Sequence, residues 1–447
     1  MPGPLHGVRV LEFSEILAGP FAGMLLADLG ADVIKVEPPA GEPWRHQWDS
    51  QVAPAESRGF IALNRGKRDL PLNLRAPQGR EVVYRLVPQT DVAIINYRPD
   101  TPANLGIDYP TLRAINPRLI YVSATAFGSE GPGRHRPGYD LVLQAMTGVL
   151  AADGKTDAGM VPRPVSPAVI DMATGYVIAW AVCAALYSRE RTGQGQLVEL
   201  SMLGSALGLL ASSLVGLPDV PGPVAREGLA ERLRQARASG LGYPELRRLY
   251  EEGAGGTRRA NAYYRCYHTR DSVIAVAALS DALRRKAAAV IGVEDPRLTD
   301  PSAPRSGPEA DAIAEAVAAR VEDRMRQRTT EQWLAAFDAA GVPAGPVRFP
   351  DELLDDPDVV ANGLAIEVRH AAAGGVRMVG PLLRMSASPP AVTRAAPTLG
   401  EGAPAILAEL GYSLAQVEAL QASGVLGGPA LPAPAPAEES RPAPANP

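Results

Sequence analysis

Cysteine is nearly missing from the chain: Cys183 and Cys266 are the only two in 447 residues. Two cysteines cannot build a disulfide framework, and neither stands in a C-x-x-C or Cys/His spacing that would hold zinc. A reducing, cytoplasmic setting is the expectation. Lysine is also scarce, which reads as compositional bias rather than function. Positive charge is not in excess either, since the net charge is −5 and the pI is about 5.7. A nucleic-acid partner is therefore not expected, although a local basic patch could still hold a small polyanion. The opening MPGPLHGVRVLEF has no basic stretch leading into a long apolar run, so no secretory signal is read there. The motifs of several chemistries are missing as well. There is no G-x-S-x-G elbow, no H-E-x-x-H and no Walker loop, and His6, His46, His135, His268 and His370 are scattered. A hydrolase triad and a metal site are unsupported.

What is present is an ordinary globular balance, 46% apolar and 21% charged, with length for two or three domains. The first 130 residues alternate strand and helix signals. Strands are expected at 7–13, 31–36, 69–74, 91–95 and 119–123, with a helix over 19–29 and another opening at Pro77. Strand–helix–strand order with short turns predicts a parallel, doubly wound α/β sheet, because parallel neighbours need crossover helices. Two apolar stretches, 172–188 and 200–217, are long enough to suggest membrane spans. Both are diluted with small and polar residues, and they read as helices buried inside the protein rather than as contacts with a membrane.

Residues 1–217 are expected to form the first part of a large α/β domain. A Pro, Gly, Arg and Glu-rich break then opens a smaller α+β domain at 218–335, with a strand at 272–279 and helices at 281–291, 309–328 and 331–340. The α/β rhythm returns over 336–426, with helices at 403–410 and 414–422. The final stretch, 427–447, carries seven prolines and no apolar period, which predicts a disordered tail.

Four segments carry chemistry. LAGPFAGMLLADLGADVIKVE (17–37) looks like a nucleotide-type strand–turn–helix–strand unit in which Glu37 stands where a ribose-binding acid would. Its glycines Gly19 and Gly23 nevertheless lack the G-x-G-x-x-G spacing. LNRGKRDLPLNLR (63–75) packs Arg65, Lys67, Arg68 and Arg75 together, either as a phosphate-binding patch or as a solvated loop. Asn96-Tyr97-Arg98-Pro99 follows a short apolar strand, where such folds present loop residues to ligands, and Tyr97 offers a flat face for a purine. Asp171 is a lone carboxylate before seventeen uncharged residues. Aspartate there is a favoured helix N-cap. It is equally a nucleophile, ionised at pH 7 if its pKa is that of an ordinary aspartate, with helix-start amides available to stabilise a neighbouring oxyanion.

These segments occur in an order that resembles the family III CoA-transferases, which include formyl-CoA:oxalate and carnitine CoA-transferases, with 2-methylacyl-CoA racemases as a sister branch. The resemblance rests on AGPFAGMLLADLGADVIKVEPPAGEPWR, LNRGKRDLPLNLR, DVAIINYRP, GSEGPGRHRPGYDLVLQAMTG, the IDMATGYVIAWAVCAALYSRERTGQGQLVELSM run, AGVPAGPV and PTLGEGAPAILAELGYS. It covers roughly residues 5–205 and 331–426 and is weak between. It implies a large α/β domain built from both chain ends, a small middle domain, and a homodimer of interlocked subunits. It also implies a CoA-transferase that takes CoA from an acyl-CoA thioester to a small carboxylic acid, with coenzyme A as substrate and product and no resident cofactor. Asp171 would be the nucleophile, passing through an aspartyl–acyl anhydride and an aspartyl-CoA thioester. Leu17 and Ala18 would line the thioester end. Leu72, Arg75, Asn96, Tyr97 and Arg98 would hold the adenine and phosphates, and Tyr139 and Asp140 would lie beside the acyl group.

Departures from the family pattern refine this. Leu17 stands where formyl-CoA transferase has glutamine, which argues against oxalate. Pro38 replaces an arginine of some members, whose charge Arg45 or Arg65 would supply. Gly400-Glu401-Gly402-Ala403 replaces G-E-H-T. The racemase branch uses a G-H-D motif, which here reads Gly138-Tyr139-Asp140. Tyrosine is a poor base at pH 7, although His135 lies nearby. A nucleotide-dependent oxidoreductase and a non-catalytic CoA-binding scaffold are the remaining readings, opposed by the missing glycine fingerprint and by the presence of Asp171.

Overall fold

The computed structural model describes residues 2–47, 50–216, 228–253, 261–304 and 307–429, so the expected tail lies outside the described residues from 430 onward. Short apolar, β-branched runs become the strands of one six-stranded parallel sheet. They are β1 (Arg9–Phe13), β2 (Asp32–Glu37), β3 (Arg68–Pro71), β4 (Val92–Ile95), β5 (Ile120–Thr125) and β6 (Leu197–Ser201), in spatial order β3-β2-β1-β4-β5-β6. Successive side chains point to opposite faces, and helices cover both. Val10, Val33, Val92 and Ile94 meet α1 (Ala18–Asp28) and α5 (Val169–Thr192). Leu11, Ile34, Ala93 and Ile95 meet α2 (Pro77–Leu86), α3 (Tyr109–Ile115), α10 (Ala403–Glu409) and α11 (Leu414–Ala422). The sheet is therefore doubly wound, with β1 and β4 flanking the point where the strand order reverses. Two further helices, α4 (Asp140–Thr147) and α6 (Met202–Leu209), pack together beside the start of α5 around Leu143, Ile170 and Ala206.

The chain divides into one compact unit of residues 1–215 and 357–447 and a second of residues 216–356. In the second unit β7 (Tyr264–His268), β8 (Val273–Ala277) and β9 (Ala344–Pro346) form a small antiparallel sheet. They enclose a core with α7 (Asp281–Ile291), α8 (Pro308–Met325) and α9 (Thr330–Ala340) around Tyr267, Ile274, Val317, Trp333 and Phe337. The expected boundary at 336 is corrected to 357. Residue 336 falls inside α9, and the strand that follows pairs Ala344 with Val276.

Two other expectations are revised. The returning segment adds no strand to the large sheet; its strands β10 (Ala365–His370) and β11 (Gly374–Val379) pair only with each other as a hairpin. The apolar stretches are not uniformly buried. Helix α5, long and apolar enough to cross a membrane by composition, lays Ile178 and Val182 against the sheet side but leaves Trp180 71% and Tyr187 67% exposed. The stretch 200–217 is not one helix: β6 ends in it, α6 occupies eight residues, and a short 3₁₀ turn follows at Ala211–Ser213.

Candidate active site

The carboxyl ends of β1 to β5 open onto a cavity of about 640 Å³, walled by residues 15–17, 36–39, 72–75, 96–99 and 124–126, with Thr101, Leu105, 134, 136–139, Asp171 and Met202 completing it. Each of the first five segments directly follows, or ends, one strand, the position at which open α/β sheets bind ligands. Of the residues expected at the site, Asp171, Leu17, Leu72, Arg75, Asn96, Tyr97, Arg98 and Tyr139 line this one cavity. Asn96 is fixed by donating its side-chain amide to the Ala124 carbonyl at 2.9 Å. Ala18 is buried in the first turn of α1 and does not line the cavity.

Asp140 also differs from expectation. It opens α4 and turns its carboxylate toward α5, where one oxygen accepts the backbone N–H of Ile170 at 2.8 Å and of Asp171 at 3.1 Å. Its other oxygen accepts from the Gln144 amide. Asp140 is thus the side-chain cap of α5, whose own cap residue Ala168 has none to offer, and two of the helix-start amides, those of Ile170 and Asp171, are already engaged. Asp171 itself is the third residue of α5, inside its first turn, and is not the cap. No hydrogen bond to its carboxylate is found among the described residues. Burial, reinforced by the charge of Asp140, pushes its pKa up to about 7. The carboxyl group is therefore poised between its two forms at neutral pH, which corrects the expectation of full ionisation.

A raised carboxyl pKa has a signed effect on stability. The native state holds its proton while the unfolded chain releases it, so stability falls as pH rises from about 4 to about 7 and then levels off. Asp171→Asn removes that penalty. The variant is expected to match the parent near pH 4 and to gain about 4 kcal/mol above pH 7, read as a pH-dependent difference in Tm. Equal Tm differences at pH 5 and pH 8 would count against the perturbed carboxyl.

The basic cluster is mostly structural. Arg65 grips Asp28 with two nitrogens at 2.7 and 3.0 Å, Lys67 pairs with Glu12 at 2.8 Å, and Arg68 pairs with Asp32 and Glu409, both at 2.6 Å. Only Arg75 of the four reaches the cavity. Neither Arg45 nor Arg65 replaces a charge at Pro38, because Arg45 is buried against Glu37 at 2.9 Å and Glu56 at 3.0 Å. Glu37 is consequently no free ribose ligand. Burial opposes its charge, but a hydrogen bond from protonated Asp69 and the Arg45 guanidinium hold it down at about 2, and burial beside Glu37 keeps the Asp69 proton on. The glycines of the 17–37 segment serve packing: side chains at Gly19 and Gly23 would collide with Ser14 and with the Glu12 carboxylate.

Several lining residues were missed in sequence, four of them polar or strained groups of consequence. Arg134 and Arg136 reach the cavity from a Gly/Pro-rich loop, and two arginines in a loop with no acid beside them were the available signal. Glu15 and Ile16 line it as well, and nothing in their local sequence marks them. His135 lies between the arginines but does not line the cavity; its ring meets Asp100 at 3.1 Å and accepts from Arg134 Nε at 2.7 Å.

A doubly wound α/β protein, with a carboxyl group and arginines gathered in one crevice at its switch point, is the class that fold and site define. Over residues 5–403 the sequence matches CoA-transferase family III, and the chain belongs to that family. It is similar to the succinate–glutarate CoA-transferase of Agrobacterium fabrum, at 33% identity over 91% of this chain and 96% of that one. It is also similar to the succinyl-CoA:glutarate CoA-transferase of Mus musculus, at 30% identity over 95% and 90%. Among solved structures, a CAIB/BAIF family protein from Brucella suis superposes with a TM-score of 0.69 at 31% identity, covering 92% of this chain and all of that one.

Proposed function

We propose that the protein transfers CoA from an acyl-CoA thioester to a small carboxylic acid, with Asp171 as the nucleophile. The observation that carries this reading is a carboxyl group without a hydrogen-bond partner among the described residues, facing a cavity that arginines also line. An Asp171 oxygen attacks the donor carbonyl carbon, the carbon–sulfur bond breaks, and CoA leaves as thiolate. The thiolate then attacks the aspartyl carbonyl, giving aspartyl-CoA and releasing the donor acid. The acceptor carboxylate attacks the aspartyl carbonyl in turn, and the freed thiolate takes the acceptor acyl group, restoring Asp171. One thioester is exchanged for another, so no ATP or redox partner enters the balance. Arg75, Arg98, Arg134 and Arg136 supply the charge for phosphates and substrate carboxylates, and Tyr97 supplies a face for the adenine.

Leu17 at the cavity argues against oxalate, and the relatives named above make succinyl-CoA with glutarate the first pair to test. A panel of acyl-CoA donors crossed with mono- and dicarboxylic acids, scored by mass spectrometry, is expected to give new acyl-CoA with at least one pair. Incorporation of solvent deuterium at the α-carbon without CoA exchange would instead favour the racemase reading. That reading needs a base beside the substrate, and His135, held by Asp100 and Arg134, does not line the cavity.

Attack requires the ionised carboxylate. With the Asp171 pKa at about 7, kcat/KM for the donor is expected to rise about tenfold per pH unit below 7 and to flatten above. Asp140→Asn keeps an oxygen for the two amides and removes the neighbouring charge, so it should move the profile to lower pH. A flat profile between pH 5 and 8 is the opposing result. A homodimer, supported by the exposed apolar face of α5 at Trp180 and Tyr187, and a cytoplasmic setting complete the proposal.

A further inference from the structure

Between β1 and α1 the chain turns through Ser14–Leu17, and Ile16 adopts φ +67°. A β-branched residue in the left-handed region is strained by roughly 1–3 kcal/mol and persists only where its surroundings impose it. The surroundings here are two fully buried charged side chains. Glu42 accepts the Ile16 backbone N–H at 2.6 Å, and Lys35 donates to the Ser14 carbonyl at 2.9 Å. The two are paired with each other at 3.2 Å, and Glu12 ties Lys35 to the Ser14 hydroxyl. Burial works against the charge on Lys35, but Glu42, Glu12 and Glu37 outweigh it and push its pKa up.

Neither Lys35 nor Glu42 lines the cavity, whereas Ile16 and Leu17 do, together with Asp171. A buried ion pair is a poor device for stability, since apolar replacements of similar size often do as well or better. We propose that Lys35 and Glu42 are positioning residues for the transfer reaction, a clamp that grips the Ser14 carbonyl and the Ile16 amide and so fixes Ile16 and Leu17 at the cavity wall they share with Asp171. The inference rests on the transferase reading given above.

The clamp predicts a coupling that a purely structural ion pair would lack. Glu42→Gln keeps an oxygen for the Ile16 amide but must set its NH2 group against the Lys35 ammonium, which loosens the turn. Its kcat should fall about 10- to 100-fold, as expected for small misplacements near a reacting centre. KM for the CoA donor should change less than about threefold, because Arg75 and Tyr97 are untouched. Glycine adopts positive φ unaided, so in an Ile16→Gly background the same Glu42→Gln change should lower kcat less than about threefold. A third arm needs neither variants nor activity: in the wild-type protein the Ile16 amide should be strongly protected from hydrogen exchange. Equal Glu42→Gln losses in the two backgrounds, an unchanged kcat, or an Ile16 amide exchanging at the rate of an open chain would each overturn the clamp. If the wild-type protein transfers CoA between no pair of substrates, the functional reading fails separately, and the exchange arm still judges the clamp.

Discussion

Asp171→Ala is expected to lower kcat by roughly 10⁴-fold or more, the scale on which enzymes lose rate when a covalent nucleophile is removed. That corresponds to about 5.5 kcal/mol of barrier. Binding of CoA should change little, within about threefold, because the residues proposed for phosphates and base belong to other segments of the cavity wall. The fold should survive as well. Asp171 is partly buried with its pKa raised to about 7, so its removal relieves a desolvation penalty instead of breaking a bond. The α5 cap is supplied by Asp140 and stays in place. Steady-state assays beside a CoA titration check both halves, and a variant with CoA affinity lost as fully as turnover would point to a structural role.

This separation between Asp171 and Asp140 was only half legible in the sequence. The isolation of Asp171 before an apolar helix marked it, and the family resemblance implied the role proposed for it. That the capping carboxylate would come from residue 140, on a different helix, depends on α4 meeting the start of α5, a tertiary contact that no local pattern encodes. The sheet was legible for the opposite reason. Alternating buried faces and short crossovers are local signals, and they placed the strands β1 to β5 to within a few residues. The return of the chain misled because α10 and α11 were legible as helices on their own, and helices there do not require strands of the large sheet between them. The boundary near 336 misled because the pairing of Ala344–Pro346 with β8 joins residues some seventy apart.

The basic cluster supplies the second large effect, since its two ends should fail in different ways. Arg65→Ala leaves Asp28, 4% exposed, without its partner. Breaking one side of a buried pair costs about 3–5 kcal/mol. Burial already raises the Asp28 pKa against the pull of Arg65, so without the arginine the carboxyl will take up a proton more readily. The loss of stability should therefore be smaller at pH 5 than at pH 8. Arg75→Ala, exposed and lining the cavity, should leave Tm within about a degree of wild type. It should weaken CoA about 10- to 100-fold, the worth of an arginine–phosphate contact of about 1.5–3 kcal/mol. Melting curves and CoA titrations of the two variants form one experiment. Equal weakening of CoA at unchanged Tm in both would return Arg65 to the ligand and contradict its assignment to the core. Sequence alone could not divide these arginines, because what separates them is the acid each one meets after folding.

The central claim is that Asp171 becomes covalently joined to CoA during turnover. Borohydride added to enzyme turning over a productive acyl-CoA reduces an aspartyl thioester to homoserine, and hydroxylamine converts it to the hydroxamate. Peptide mapping by mass spectrometry then locates the change. The account predicts modification confined to residue 171, dependent on the acyl-CoA and absent from Asp171→Asn. An unmodified residue 171 in enzyme that is still forming product would contradict it.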